Sequence, residues 1–115
     1  MNIDQEIDNH LQWIETVASL LNNEPLQETE MQELTRHDVC SLGQWMTSAD
    51  AAKYQSQPVF QALEDVHRQF HQAAGELVAA LQKDDEEAAF AAQQAFIRLS
   101  HGVVEQLMAL KEAMH

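Results

Sequence analysis

Pro58-Val-Phe-Gln-Ala-Leu63-Glu-Asp-Val-His67-Arg-Gln-Phe70-His71-Gln-Ala-Ala74-Gly-Glu-Leu77-Val-Ala-Ala-Leu81-Gln-Lys83 is the stretch that decides the fold. Leu63, His67, Phe70, Ala74, Leu77 and Leu81 follow one another at spacings of four, three, four, three and four. That is one stripe along an α-helix, and proline suits a helix's first turn. The same rhythm governs Ile3, Ile7, His10, Ile14, Val17 and Leu21. It returns after Asp84 in Ala89, Gln93, Phe96, Ser100, Val103, Leu107, Leu110 and Met114, with Ile97 and Val104 beside it. Few residues favour strands or turns: there are three glycines and two prolines, against many Ala, Gln, Glu and Leu. The expectation is an all-α chain, an antiparallel four-helix bundle with an additional short helix carrying Cys40.

The boundaries follow from capping chemistry. Asn2 with Gln5 starts the first helix, which Leu11, Ala18 and Leu20 widen, and Asn22-Asn23-Glu24-Pro25 ends it. Thr29 with Gln32 starts a second, Met31 to His37, whose Met31 and Leu34 face inward. Asp38 is the expected N-cap of a short helix, Val39 to Met46, with Cys40 in its first turn, where free backbone N–H groups favour a thiolate. Leu42, Trp45 and Met46 pack inward. Thr47 to Gln57 reads as loop. Asp84, with Glu87, caps the last helix. The length, 115 residues, fits one domain spanning 1–115.

The net charge of −13 leaves no cluster of Lys or Arg for phosphate, so neither nucleic acid nor a membrane is an expected partner. No apolar run approaches a membrane span, and the acidic start is no signal peptide. One cysteine forms no internal disulfide, and a reducing cytoplasmic compartment fits best.

Two apolar stripes are interrupted by histidine. His10 occupies a core position of the first helix and His67 one of the long helix, with His71 a turn further on the same face. Imidazoles at i and i+4 can reach a single point. Each residue has a plainer reading: a satisfied core histidine, a chance HxxxH, a small buried thiol. Taken together they change the balance, because an uncompensated buried imidazole costs on the order of a few kcal/mol. Three imidazoles and a soft sulfur donor make a tetrahedral zinc site of His10, Cys40, His67 and His71, one Zn²⁺ per chain. His37 reads first as a surface residue, with an alternative ligand or a supporting group as the lesser readings; His101 lies off the seam, and His115 is terminal and solvated.

The segments His10-Leu-Gln-Trp13, Cys40-Ser-Leu-Gly-Gln-Trp45 and His67-Arg-Gln-Phe-His71 together resemble the bacterial chemoreceptor zinc-binding (CZB) domain. The likeness runs from about Asn2 to Met114, and Cys-x-Leu-Gly-x-Trp is its most specific piece. It places the family's zinc ligands on the same four residues. It implies a helical bundle, a homodimer, and a sensory role regulating a signalling protein, such as a chemoreceptor or a diguanylate cyclase, in cis or in trans. In some members the zinc-bound cysteine reacts with oxidants such as hypochlorous acid. No signalling domain is present, so the chain is either a stand-alone member acting on a partner or a piece of a larger protein, and the initial Met favours the first.

A closed shell of four protein ligands leaves no position for activated water, which argues against an enzyme. One competing reading is a hemerythrin-like di-iron O₂-binding bundle, using His67, His71, His101 and Glu105. Against it, Ser41 stands four residues after His37 where a carboxylate is needed. The other is a purely structural dimerisation bundle with incidental histidines.

Overall fold

The structure is a computed structural model that describes residues 2–21, 28–36 and 40–113. Among the described residues there are six elements, all helices: α1 (Ile3–Leu21), α2 (Glu28–Thr35), α3 (Ser41–Met46), α4 (Ala49–Ala52), α5 (Pro58–Gln82) and α6 (Glu86–Ala113). Among the described residues there is no strand. The expected helix stop at Asn22–Pro25, His37, Asp38, Val39, Met114 and His115 lie outside them.

The spine is α5 against α6. Phe70 meets Phe96 at a ring distance of 4.6 Å, and Gly102 faces Val66, so residues rising along α5 meet residues falling along α6. The pair is antiparallel. Lys111 reaches Asp4 at 2.8 Å, and Leu21 shares a cleft with Ala89 and Phe90, so the start of α1 lies near the end of α6 and its end near the start. α2 packs on α5, and Leu34 is fully buried. The α5 seam is buried as the spacing requires from Leu63 through Leu77, with Phe60, Ala73 and Ala80 added. On α6, Ala92 is buried and Gln93 only half-buried.

Asn2 Oδ1 accepts from the Gln5 N–H at 3.1 Å, as its capping role demands, but the Gln5 side chain turns to Asn9 instead of closing the box. Leu11 and Ala18 face solvent, because the buried face of α1 runs instead through Ile3, Glu6, His10 and Val17. α2 runs from Glu28, which puts Thr29 inside the helix and not at its cap. The last cap is Asp85, whose carboxylate accepts the Ala88 N–H at 3.1 Å. Asp84 takes φ 56 to turn the chain between α5 and α6, a conformation Asp tolerates better than most residues. Thr47 to Gln57, read as loop, contains α4, whose Ala51 is fully buried. Four residues are too few for a periodicity to register.

Two glycines separate packing from propensity. A Cβ at Gly75 would meet nothing within 4 Å, whereas one at Gly102 would lie 2.9 Å from Val66 Cγ2. Gly75→Ala should therefore stabilise by about 0.5–1 kcal/mol through the helix term alone. Gly102→Ala must push a stiff β-branched side chain and should lower the melting temperature. Thermal melts of the two variants check both signs.

Candidate metal centre

Four buried side chains converge where α1, the start of α3 and the middle of α5 meet. One donor atom each of His10, Cys40, His67 and His71 lies within 4.8 Å of every other. Cys40 Sγ is 3.1 Å from His67 Nε2, which is 3.1 Å from His71 Nε2. Bonds of about 2.0–2.1 Å to nitrogen and about 2.3 Å to sulfur place tetrahedral donors about 3.3–3.6 Å apart. The Cys40–His67 and His67–His71 pairs are close to that spacing, and every pair lies within 4.8 Å.

Helical geometry brings them there. His67 and His71 are one turn apart on α5, and their rings stand edge to face at 4.6 Å. His10 enters from α1, with ring centroids 5.4 Å from His67 and 6.2 Å from His71. Cys40 has extended backbone, φ −68 and ψ 160, and is itself the N-cap of α3: its Sγ accepts the Gly43 N–H at 3.4 Å. The expected helix from Val39, with Cys40 inside its first turn, is thus corrected. α3 starts at Ser41, and the sulfur does the capping. Leu42 and Met46 are buried as expected, and half-buried Trp45 leans on Phe60 and Tyr54.

Second contacts fix which nitrogen faces inward in two of the three rings. His10 Nδ1 lies 2.8 Å from the Glu6 carbonyl, and His71 Nδ1 lies 2.7 Å from the Leu34 carbonyl. A carbonyl only accepts, so Nδ1–H donates, and in the neutral ring the Nε2 lone pair is turned to the cluster. His10 Nε2 is buried there with no hydrogen-bond partner. An orphaned buried lone pair, two preset tautomers and a thiol within reach are the donor set that a tetrahedral cation takes. Ser100 Oγ on α6 is also buried without a partner.

Burial pushes the His10 pKa down, opposed by its bond to the Glu6 carbonyl and by the Glu6 charge. The ring is therefore neutral at pH 7, the form a metal requires. Burial pushes the Cys40 thiol up to about 11, against the lowering by the Gly43 N–H and reinforced by the charge of Glu6. Sequence position alone suggested that the helix start would favour a thiolate. Desolvation outweighs it, and the sulfur keeps its proton at neutral pH until a cation joins it.

The residues needed on the last helix for a di-iron site, His101 and Glu105, are both exposed and outside the group. Two contributors escaped the sequence reading. The Leu34 carbonyl carries no sequence signal. Glu6, only 5% exposed, does: it falls three residues after Ile3 and four before His10, on the buried stripe. A cleft of about 600 Å³ between α3 and the first half of α5, bordered by Gly43, Met46, Gln61, Glu64, His67 and Arg68, runs beside the cluster at His67, while all four donor residues stay buried.

Comparison with protein families gives a match over residues 10–78, more than half the chain and inclusive of all four donors, to the chemoreceptor zinc-binding domain. Comparison with curated proteins gives no match, and neither does comparison with solved structures.

Proposed function

Since the chain belongs to the chemoreceptor zinc-binding domain family, we propose that it is a zinc-binding regulatory module of bacterial signalling, with His10, Cys40, His67 and His71 as the ligands of one Zn²⁺. The observation that carries this reading is the buried, partnerless Nε2 of His10, aimed at three other donors. A bound Zn²⁺ would supply a closed, redox-inert centre that holds the sulfur as thiolate. The chain's own residues do the rest. The Glu6 and Leu34 carbonyls orient two imidazoles, and the Gly43 N–H orients the sulfur. The buried apolar residues around them keep water out.

The module works in the cytoplasm as a homodimer and acts on a signalling protein in cis or in trans. It is not an enzyme, because all four donors are used in holding the metal. Its input is zinc occupancy or oxidation of Cys40. In the second case hypochlorous acid delivers oxygen to the thiolate, giving a sulfenic acid and chloride. The cleft beside His67 supports access for so small an oxidant. A sulfenic sulfur is a poor donor, so α3 loses its tie through Cys40 and keeps the Glu6–Ser41 bond to α1, and Leu42 and Met46 can move. Trp45, against Tyr54 and Phe60, reports that movement as a fluorescence change. Stoichiometric oxidant should release zinc and shift this signal in wild type and do neither in Cys40→Ala. Oxidation of Met31 or Met46 with zinc retained would leave occupancy as the input.

Metal analysis of untagged protein tests the main reading. One zinc per chain supports it, two irons would replace it with the di-iron reading, and no metal would leave a structural bundle. Affinity should also depend on pH with a definite sign. Zinc must displace the thiol proton, and that proton is held up to about pH 11. Between pH 7 and 9 binding should therefore tighten by about tenfold per pH unit, measurable by competition against a chelator of known pH dependence.

A further inference from the structure

Glu6 is an acidic side chain buried to 5% exposure on a helix whose other buried positions are Ile3, His10 and Val17. Both of its carboxylate oxygens accept from the hydroxyl of Ser41, at 2.6 and 3.0 Å. Its main-chain carbonyl accepts Nδ1–H of His10 at 2.8 Å. One residue thus grips two arms of the cluster, the α1 imidazole through its backbone and the residue next to Cys40 through its side chain.

A divalent cation with one thiolate and three neutral imidazoles carries a net charge of +1. A single buried carboxylate at its edge brings the assembly to zero, and the desolvation that makes a lone buried carboxylate costly then becomes an attraction. We propose that Glu6 is a positioning residue of the metal centre that balances its charge and tethers the Cys40 segment through Ser41. The inference rests on the zinc reading above.

It predicts effects of opposite sign. Glu6→Gln keeps the length of the side chain and one oxygen to accept from Ser41, and it removes the charge together with the second acceptor oxygen. Zinc should bind about ten- to a hundredfold more weakly, while the melting temperature in excess chelator stays level or rises. Glu6→Asp, which keeps the charge, should recover part of the affinity. A residue that merely helps packing would lower the chelator melting temperature and the zinc affinity together, and that result overturns the inference. So does Glu6→Gln binding zinc as tightly as wild type. If wild type itself takes up no zinc in the same competition titration, the zinc reading fails and this inference with it.

Discussion

Replacing His71 with Ala should weaken zinc binding by on the order of a hundred- to a thousandfold. Structural zinc sites bind with roughly 10–16 kcal/mol in all. Shared among four ligands, that is about 2.5–4 kcal/mol for each. His71 also ties α2 to the site through the Leu34 carbonyl, so its loss frees a buried acceptor as well as a ligand. His67→Ala should do at least as much harm, since His67 Nε2 lies 3.1 Å from both Cys40 Sγ and His71 Nε2. His101→Ala is the control: the residue is exposed on α6 and should leave binding unchanged. Equal losses in His101→Ala and His71→Ala would refute the assignment.

Chelation should lower the melting temperature by about 10–15 °C without abolishing the helices. A ligand that binds only the folded chain stabilises by about 4 kcal/mol at a thousandfold excess over its Kd. For a domain of this size each kcal/mol is worth about 3–4 °C. The helices should survive because the main core does not depend on the site. Phe60, Leu63, Phe70, Leu77, Phe96, Leu107 and Leu110 are buried to 1% exposure or less. Cooperative loss should begin at α3, which is short and anchored to α1 and α5 through Cys40 and the Glu6–Ser41 bond. Circular dichroism melts with and without chelator measure both effects. A melting curve indifferent to chelator would contradict a stabilising metal.

The long helices were legible because burial repeats at their own period. Leu63, Phe70 and Leu77 on α5 and Phe96, Val103 and Leu107 on α6 are buried apolar residues at that helical period. His10, His67 and His71 were legible for the converse reason, as polar residues at positions where only burial was expected. Ends and short pieces were harder. The start of α3 depends on a thiol taking the place of an oxygen cap, and an aspartate two residues earlier offers the more familiar signal. The choice between Asp84 and Asp85 turns on which residue accepts φ 56, and two identical neighbours cannot reveal that. Glu6 was hidden by its type, since an acidic residue on a helix ordinarily points to water, and only its register with His10 marks it as buried. The pKa of Cys40 depends on desolvation in three dimensions, which no local pattern records.

The central claim is that three imidazoles and one thiolate of this chain hold a zinc ion. X-ray absorption at the zinc edge of the untagged, zinc-loaded protein tests it most directly. It should show one sulfur at about 2.3 Å and three nitrogens at about 2.0–2.1 Å, and Cys40→Ala should lose the sulfur alone. A shell of nitrogen and oxygen without sulfur in the wild-type protein would contradict it.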